Sequence, residues 1–295
     1  MISREKYEWM VKYTPQTEWI ERRGILLWLA FFFIELGAGL YFISIFFNSQ
    51  WGMLIGWLIC LVLGGGAHLL YLSRPLRFYR AVLKPQTSWI SRGMIFVVLF
   101  AVIGIVHMAL QQWAPEIGLL PLQVIMGIVS FVVVIYGGFA MNYVSALPIW
   151  NTALLPAIYA AVSLWGGAEI LLGINLMTNQ NVETAEFWVR ILMVSFAFLL
   201  VLYLWSIRYR SNVAAEAIRR IVRGDLGLPF YLGVILIGLL YPFTVASLSF
   251  TLGIGVLSPG IIMAAIVCGS IGDLSMRYCI LKSALYSPLV RVRAS

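Results

Sequence analysis

The sequence predicts an all-α integral membrane protein with eight transmembrane helices, and three observations carry that prediction. Of the 295 residues, 62% are hydrophobic and only 11% are charged. A soluble chain carries about 25% charged residues, so this one lacks the polar side chains to cover a wetted surface. Its apolar residues fall in eight continuous runs, each near the ~20 residues that cross ~30 Å of hydrocarbon. They do not form the ~10-residue alternating segments of an outer-membrane barrel. Lipid offers the backbone no partners, so each run must close its hydrogen bonds internally, as a helix.

Residues 1–23 form a charged, aromatic tail. No small-residue cleavage site follows a short apolar core there, so no cleaved signal peptide is expected. The first span, 24–47, carries FFFIELGAGLY, in which Gly37 and Gly39 allow a neighbouring helix to approach closely. The second, 51–72, ends at His68 and runs into an arginine-rich turn. The third, 89–110, is entered through Ser-Trp-Ile-Ser-Arg-Gly, and the fourth, 121–144, carries Tyr136. Glu169 lies in the fifth, 151–173, and Arg190 just inside the sixth, 187–205. The seventh, 229–251, follows a polar loop, and the eighth, 260–281, carries Asp273 and Arg277 before a basic tail, 282–295.

All but one of the twenty Lys and Arg residues fall on one face. The N-terminal tail holds Arg4, Lys6, Lys12, Arg22 and Arg23. The loop between spans two and three with its helix start holds Arg74, Arg77, Arg80, Lys84 and Arg92. Arg208, Arg210, Arg219, Arg220 and Arg223 lie between spans six and seven, and Arg277, Lys282, Arg291 and Arg293 close the chain. Arg190 alone is on the other side, where the loops 48–50, 111–120, 174–186 and 252–259 carry Glu116, Glu183 and Glu186. The positive-inside rule then places both termini in the cytoplasm, with the chain in the inner membrane. The net charge of +8 is thus a topological signal with scope for contact to anionic lipid, and needs no nucleic acid to explain it. No loop is long enough to be a soluble catalytic module.

Ionisable residues at membrane depth are costly and are functional candidates by default. Glu35 lies eleven residues into the first span, about 16 Å deep at 1.5 Å per residue. It reads either as a proton relay or as a neutral acid bonded between helices. His68 lies one turn from the cytoplasmic end of the second span, as a proton donor to a ligand or as a brace for the basic loop. Asp273 and Arg277, four apart, share a helix face, as an ion pair or as a gate on a polar path. Glu169 and His107 lie toward the opposite face and read as interfacial. Cys60, Cys268 and Cys279 have no ligand-type spacing, so no zinc or cluster site is expected. The two histidines differ in depth by roughly 20 Å, too far for one iron. No haem and no iron-sulfur cluster is expected in this chain, and electrons must arrive from another protein if redox chemistry occurs here.

Five motifs in order resemble the polysulfide reductase NrfD-like family, the membrane subunits of molybdopterin and iron-sulfur oxidoreductases. They are FIELGAGLY in the first span, HLLYLSRPLRFYR after the second, TSWISRG at the third, YGGFAMNYVSALPIWNTALLPAIY from Tyr136 to Tyr159, and GDLSMRYCILKSALYSPL at the end. The resemblance covers nearly the whole chain. It implies two four-helix bundles, which would divide the chain into 24–144 and 145–281 between the tails. It implies a haem-free subunit that binds menaquinone or ubiquinone, docks a four-cluster ferredoxin-type iron-sulfur subunit and works with a further catalytic subunit. It implies a quinone pocket formed by polar residues just before the first span and a tyrosine on the fourth. The matching positions are in PQTEWIERRG and at Tyr136. Where family members often carry Asn and His three apart, this chain has Glu18 and Glu21. In well-known members the N-terminal face is periplasmic; the charge bias here places it in the cytoplasm.

The expected function is a quinone-reactive membrane anchor that exchanges electrons with an iron-sulfur partner and takes up or releases protons. The expected quinone site comprises Glu18, Glu21, His68 and Tyr136. Glu35, His68 and Asp273 are the expected proton-transfer residues, and Arg74, Arg77 and Arg80 the expected docking residues. The alternative is an ion-coupled secondary transporter using buried Glu35, Glu169 and Asp273. An iron-sulfur protein that co-purifies with the chain discriminates between them.

Overall fold

A computed structural model describes residues 13–72, 74–114 and 118–288. Among these, eight helices are long and apolar enough to cross a membrane: Gly24–Phe46, Gln50–Tyr71, Trp89–Trp113, Leu120–Asn142, Leu154–Thr178, Val182–Arg208, Pro229–Leu252 and Pro259–Ser283. The chain is thus an all-α, multi-pass membrane protein. Serine side chains begin three of the described helices. Ser49 accepts from the Gly52 N–H at 3.2 Å, Ser88 from Ser91 at 3.3 Å and Ser211 from Ala214 at 3.1 Å, each occupying a donor that the helix leaves free. Of the basic and acidic residues counted for topology, Arg4, Lys6, Lys12, Glu116, Arg291 and Arg293 lie outside the described residues.

The structure departs from the expected elements in three places. The connection expected at 174–186 is only residues 179–181. Asn179 and Asn181 take left-handed backbone, φ 53° and 48°, a conformation Asn tolerates better than most residues. The turn is therefore tight, both flanking helices lengthen, and Glu183 and Glu186 become helical. Second, the polar loop after the sixth span contains a helix, Asn212–Arg223. It buries Val213, Ala214, Ala217, Ile218 and Ile221 at helical spacing while Arg219 stays exposed. Third, the second and seventh spans contain π-helical stretches, Ile59–Gly65 and Pro229–Leu240. The latter ends just before Pro242, which has no N–H to continue the ladder.

The first and fifth spans form the middle of the bundle. Their apolar windows are 67% and 72% buried, against 22% for the second and 28% for the sixth, which lie at the periphery. Buried apolar side chains gather in two main clusters. One lies among spans one to four, with Ile34, Tyr41, Met53, Phe100 and Val133. The other lies among spans five to eight, with Trp165, Phe196, Val234 and Met276. Between them the first span crosses the fifth, where a side chain at Gly39 would strike the Ser163 carbonyl. The segment before the first span pairs with the end of the eighth. Gln16 N–H donates to the Ala284 carbonyl and Tyr286 N–H to that of Thr14, both at 2.9 Å. Both described ends of the chain therefore lie on one face, as an even number of crossings requires.

Candidate functional site

Charged groups cluster at the seam between the two apolar clusters. Arg277, 1% exposed, comes from the eighth span and reaches into the middle of the molecule. Its Nε donates to Asp273 Oδ1 at 2.6 Å, Nη1 to Glu35 Oε2 at 2.5 Å and Nη2 to Ser163 Oγ at 2.9 Å. The guanidinium also stands over the Tyr159 ring, 4.4 Å from its centre. The expected Asp273–Arg277 pair is present, and it is extended to a third helix and a fourth partner. Asp273 Oδ2 and Glu35 Oε1 are buried and make no hydrogen bond of normal geometry; Oε1 rests against Gly137, where any side chain would collide with it. One guanidinium thus faces two carboxyls. When both are ionised one negative charge is left over, and the cluster has capacity for one exchangeable proton.

Toward the face that carries the basic loops, an aromatic cluster surrounds Phe31. Its ring centre is 5.8 Å from that of Tyr136 and 6.3 Å, edge-on, from that of His68. Trp19, from the segment before the first span, stacks on the same ring at 6.1 Å and leans on Trp150 at 5.1 Å. Leu27, Ala140, Tyr71 and Trp89 complete the surround. The Tyr136 ring fits only because residue 93 is glycine; a Cβ there would overlap the ring. The Tyr136 hydroxyl and His68 Nδ1 are both buried and both lack a hydrogen-bond partner. An unpaired buried donor or acceptor costs about 1–3 kcal/mol, so two beside one ring mark a place where a further polar group would be stabilised.

His68 and Tyr136 therefore both stand beside the Phe31 ring. Glu18 and Glu21 are not brought into this cluster. Both are exposed, and Glu21 accepts from Lys282 Nζ. They flank Trp19 in sequence, so they stand at the surface where that ring enters. Trp19, Phe31 and Trp89 are not singled out by the sequence, because an aromatic side chain among many carries no positional signal. Glu169 and His107, expected at the interface, are instead buried, 2% and 0% exposed. His107 Nδ1 is 2.8 Å from the Tyr41 hydroxyl.

The turn after the second span is a 3₁₀ helix, Pro75–Val82, with Arg74 just before it. Three residues per turn align positions three apart, so Arg74, Arg77 and Arg80 form one exposed row. Arg92 is committed elsewhere: it donates to the carbonyls of Pro85 at 2.7 Å and Gln86 at 2.8 Å and stands over Trp89. On the same face, hydrogen bonds from Arg220 hold the Asp225 carboxyl below the usual carboxylate range. That pairing contributes above the ordinary aspartate pKa and is lost as pH falls through the lowered value; its exposure keeps the contribution small.

Among the described residues no group of three His, Cys, Asp or Glu side chains is arranged to hold a metal ion. No curated protein matches the chain. The family model described as "Polysulphide reductase, NrfD" matches residues 23–288, which takes in all eight spans and both clusters of polar residues. The chain belongs to the NrfD polysulphide reductase family of multi-pass membrane proteins.

Proposed function

We propose that this chain is the quinone-reactive membrane subunit of an oxidoreductase complex, with its quinone site beside Phe31. The observation that carries this reading is the pair of orphaned polar groups, Tyr136 Oη and His68 Nδ1, in an otherwise aromatic surround. A flat ring bearing two carbonyl oxygens fits such a place: rings stack on it and each oxygen finds a polar partner. Bound quinone supplies two-electron, two-proton redox chemistry. The chain's part is to hold it, to exclude water with Trp19, Phe31 and Trp89, and to handle protons. Tyr136 donates to one oxygen and His68 exchanges a proton at the other. Glu18 and Glu21 exchange protons with water at the surface, and the Glu35–Arg277–Asp273 cluster holds a proton deeper in the span. Electrons come from a four-cluster ferredoxin-type iron-sulfur subunit, itself served by a catalytic subunit; this chain contributes no haem and no cluster. Family membership favours this reading over a secondary transporter. A photoreactive quinone added to the purified complex should label peptides that carry Phe31, His68 or Tyr136. Labelling confined to other spans would overturn the site.

The iron-sulfur partner docks on the basic face. Arg74, Arg77 and Arg80 point one row of guanidinium groups outward, and each binds a carboxylate through paired hydrogen bonds. Replacing all three with Gln is expected to release the partner at moderate salt, read as the fraction of iron-sulfur protein that co-purifies. Unchanged recovery would assign the row to lipid headgroups instead. Both termini are cytoplasmic in this reading. A reporter active only in the periplasm, fused after residue 295, should therefore give no signal, and a strong one would invert the topology.

A further inference from the structure

We infer that Glu169 is a proton-exchange site, reached through a water-admitting cleft from the face opposite the basic loops. The cleft lies among spans five to eight and is large enough to admit water. Its mouth is polar. Glu186, four residues into the sixth span, pairs with Arg190 at 2.5 Å and accepts from Ser249 Oγ near the end of the seventh. Its walls are apolar, with Val189, Val245 and Ala265. Glu169 lines its inner part. That side chain is 2% exposed, and its Oε2 is buried without a hydrogen-bond partner. It lies nine residues from the end of the fifth span at Thr178, about 13 Å inward at 1.5 Å per residue. No described ion pair involves it. A carboxylate buried without donors is costly; among the described residues nothing donates to Glu169 Oε2, so the group is stabilised by taking up a proton or by water in the cleft.

The carboxyl of Glu169 also has an inward neighbour. It rests against Gly269 on the eighth span, where any Cβ would collide with it. Asp273 is one turn further along the same face, close enough for the two charges to interact. The titratable and charged groups around Glu169 are therefore Asp273 and Cys268 from the eighth span and Glu186 and Arg190 from the sixth. Hydronium in the cleft gives its proton to the Glu169 carboxylate and leaves as water. The neutral acid then gives the proton to ionised Asp273 and returns to carboxylate. There the guanidinium of Arg277, paired with both Asp273 and Glu35, balances whichever of the two carboxyls stays ionised, so the arriving proton is held at Asp273. Asp273 is fourteen residues from the start of its span at Pro259, about 21 Å in, so the step carries the proton from the cleft to mid-membrane depth. The site is assigned from these contacts alone and is independent of what binds beside Phe31.

Two measurements on the full-length chain in oriented membrane vesicles test it, neither using quinone turnover. In the first, Ala265→Cys is placed in a chain whose Cys60, Cys268 and Cys279 are Ala, and a membrane-impermeant thiosulfonate is added from either side. A thiol in a wet cleft ionises and reacts, while one facing hydrocarbon does not. Labelling from the face opposite the basic loops should exceed that of lipid-facing Val267→Cys by about tenfold or more. In the second, a hydrophobic carbodiimide, which adds across the O–H of a neutral carboxyl, should modify Glu169 in the wild-type chain, and the modified peptide should vanish in Glu169→Gln. No excess labelling at Ala265→Cys, labelling only from the basic-loop face, or an unmodified Glu169 would each overturn the proposal.

Discussion

Arg277→Gln should lower stability by about 3–5 kcal/mol, the range for breaking one side of a buried ion pair. The glutamine cannot supply the charge, and it reaches at most two of the three oxygens that Arg277 now satisfies on Asp273, Glu35 and Ser163. Two carboxyls are then left facing each other between the first and eighth spans. Arg277→Lys keeps the charge but loses the fork that fits three partners at once, so it should fall between wild type and Gln. The decisive comparison is the triple variant Glu35→Gln, Asp273→Asn, Arg277→Met. Removing all the charges together leaves no uncompensated ion, and buried ion clusters replaced as a set are often neutral in stability. The readout is the midpoint of thermal loss of monodisperse protein in detergent. If Arg277→Gln unfolds at the wild-type midpoint, the guanidinium is not the centre of the seam. If the triple variant is as weak as Arg277→Gln, the loss comes from packing rather than charge.

What could be read from the sequence divides by the range of the interaction. Hydropathy is a local property summed over a window, so all eight spans were readable. The Asp273–Arg277 pair was readable because it depends only on a spacing of four. Glu35 gave half its meaning: burial was plain from its depth, but its partner is 242 residues away in the chain, and no periodicity connects them. Glu169 was misplaced for a local reason. The sequence places the end of the fifth span near residue 173, with the polar stretch after it as loop. The turn is instead made by two left-handed asparagines further on, which moves Glu169 from the interface to the interior. The helix Asn212–Arg223 shows the same limit. Its apolar residues recur at helical spacing, but among three arginines they do not register as a span.

Tyr136→Phe should leave the protein as stable as before, or slightly more so, while lowering quinone turnover about tenfold. The two halves of this expectation come from one observation. The Tyr136 hydroxyl is buried and has no partner among the described residues, so in the chain alone its removal relieves an unsatisfied polar group instead of breaking a bond. The ring, which packs on Phe31 and fills the space at Gly93, is retained. In the proposed quinone complex the hydroxyl gains a partner, and losing that bond costs about 1–3 kcal/mol; about 1.4 kcal/mol is a factor of ten in rate. The assay is quinol oxidation or quinone reduction by the intact complex, set beside the soluble partner's turnover with an artificial dye, which should not change. His68→Phe is the companion variant: it removes the other orphaned nitrogen and, on the proposed role of His68 in proton exchange, should lower turnover in the same way with an altered pH dependence. Glu21→Gln separates the surface from the pocket. Glu21 is exposed and held by Lys282, so its loss should slow proton-coupled turnover and change the pH profile without weakening quinone binding. Full quinone activity in both Tyr136→Phe and His68→Phe would mean that the orphaned groups beside Phe31 serve some other ligand, and that the quinone site of this chain lies elsewhere. A fall in stability in Tyr136→Phe would mean instead that its hydroxyl is already bonded in the resting protein, by water or by lipid.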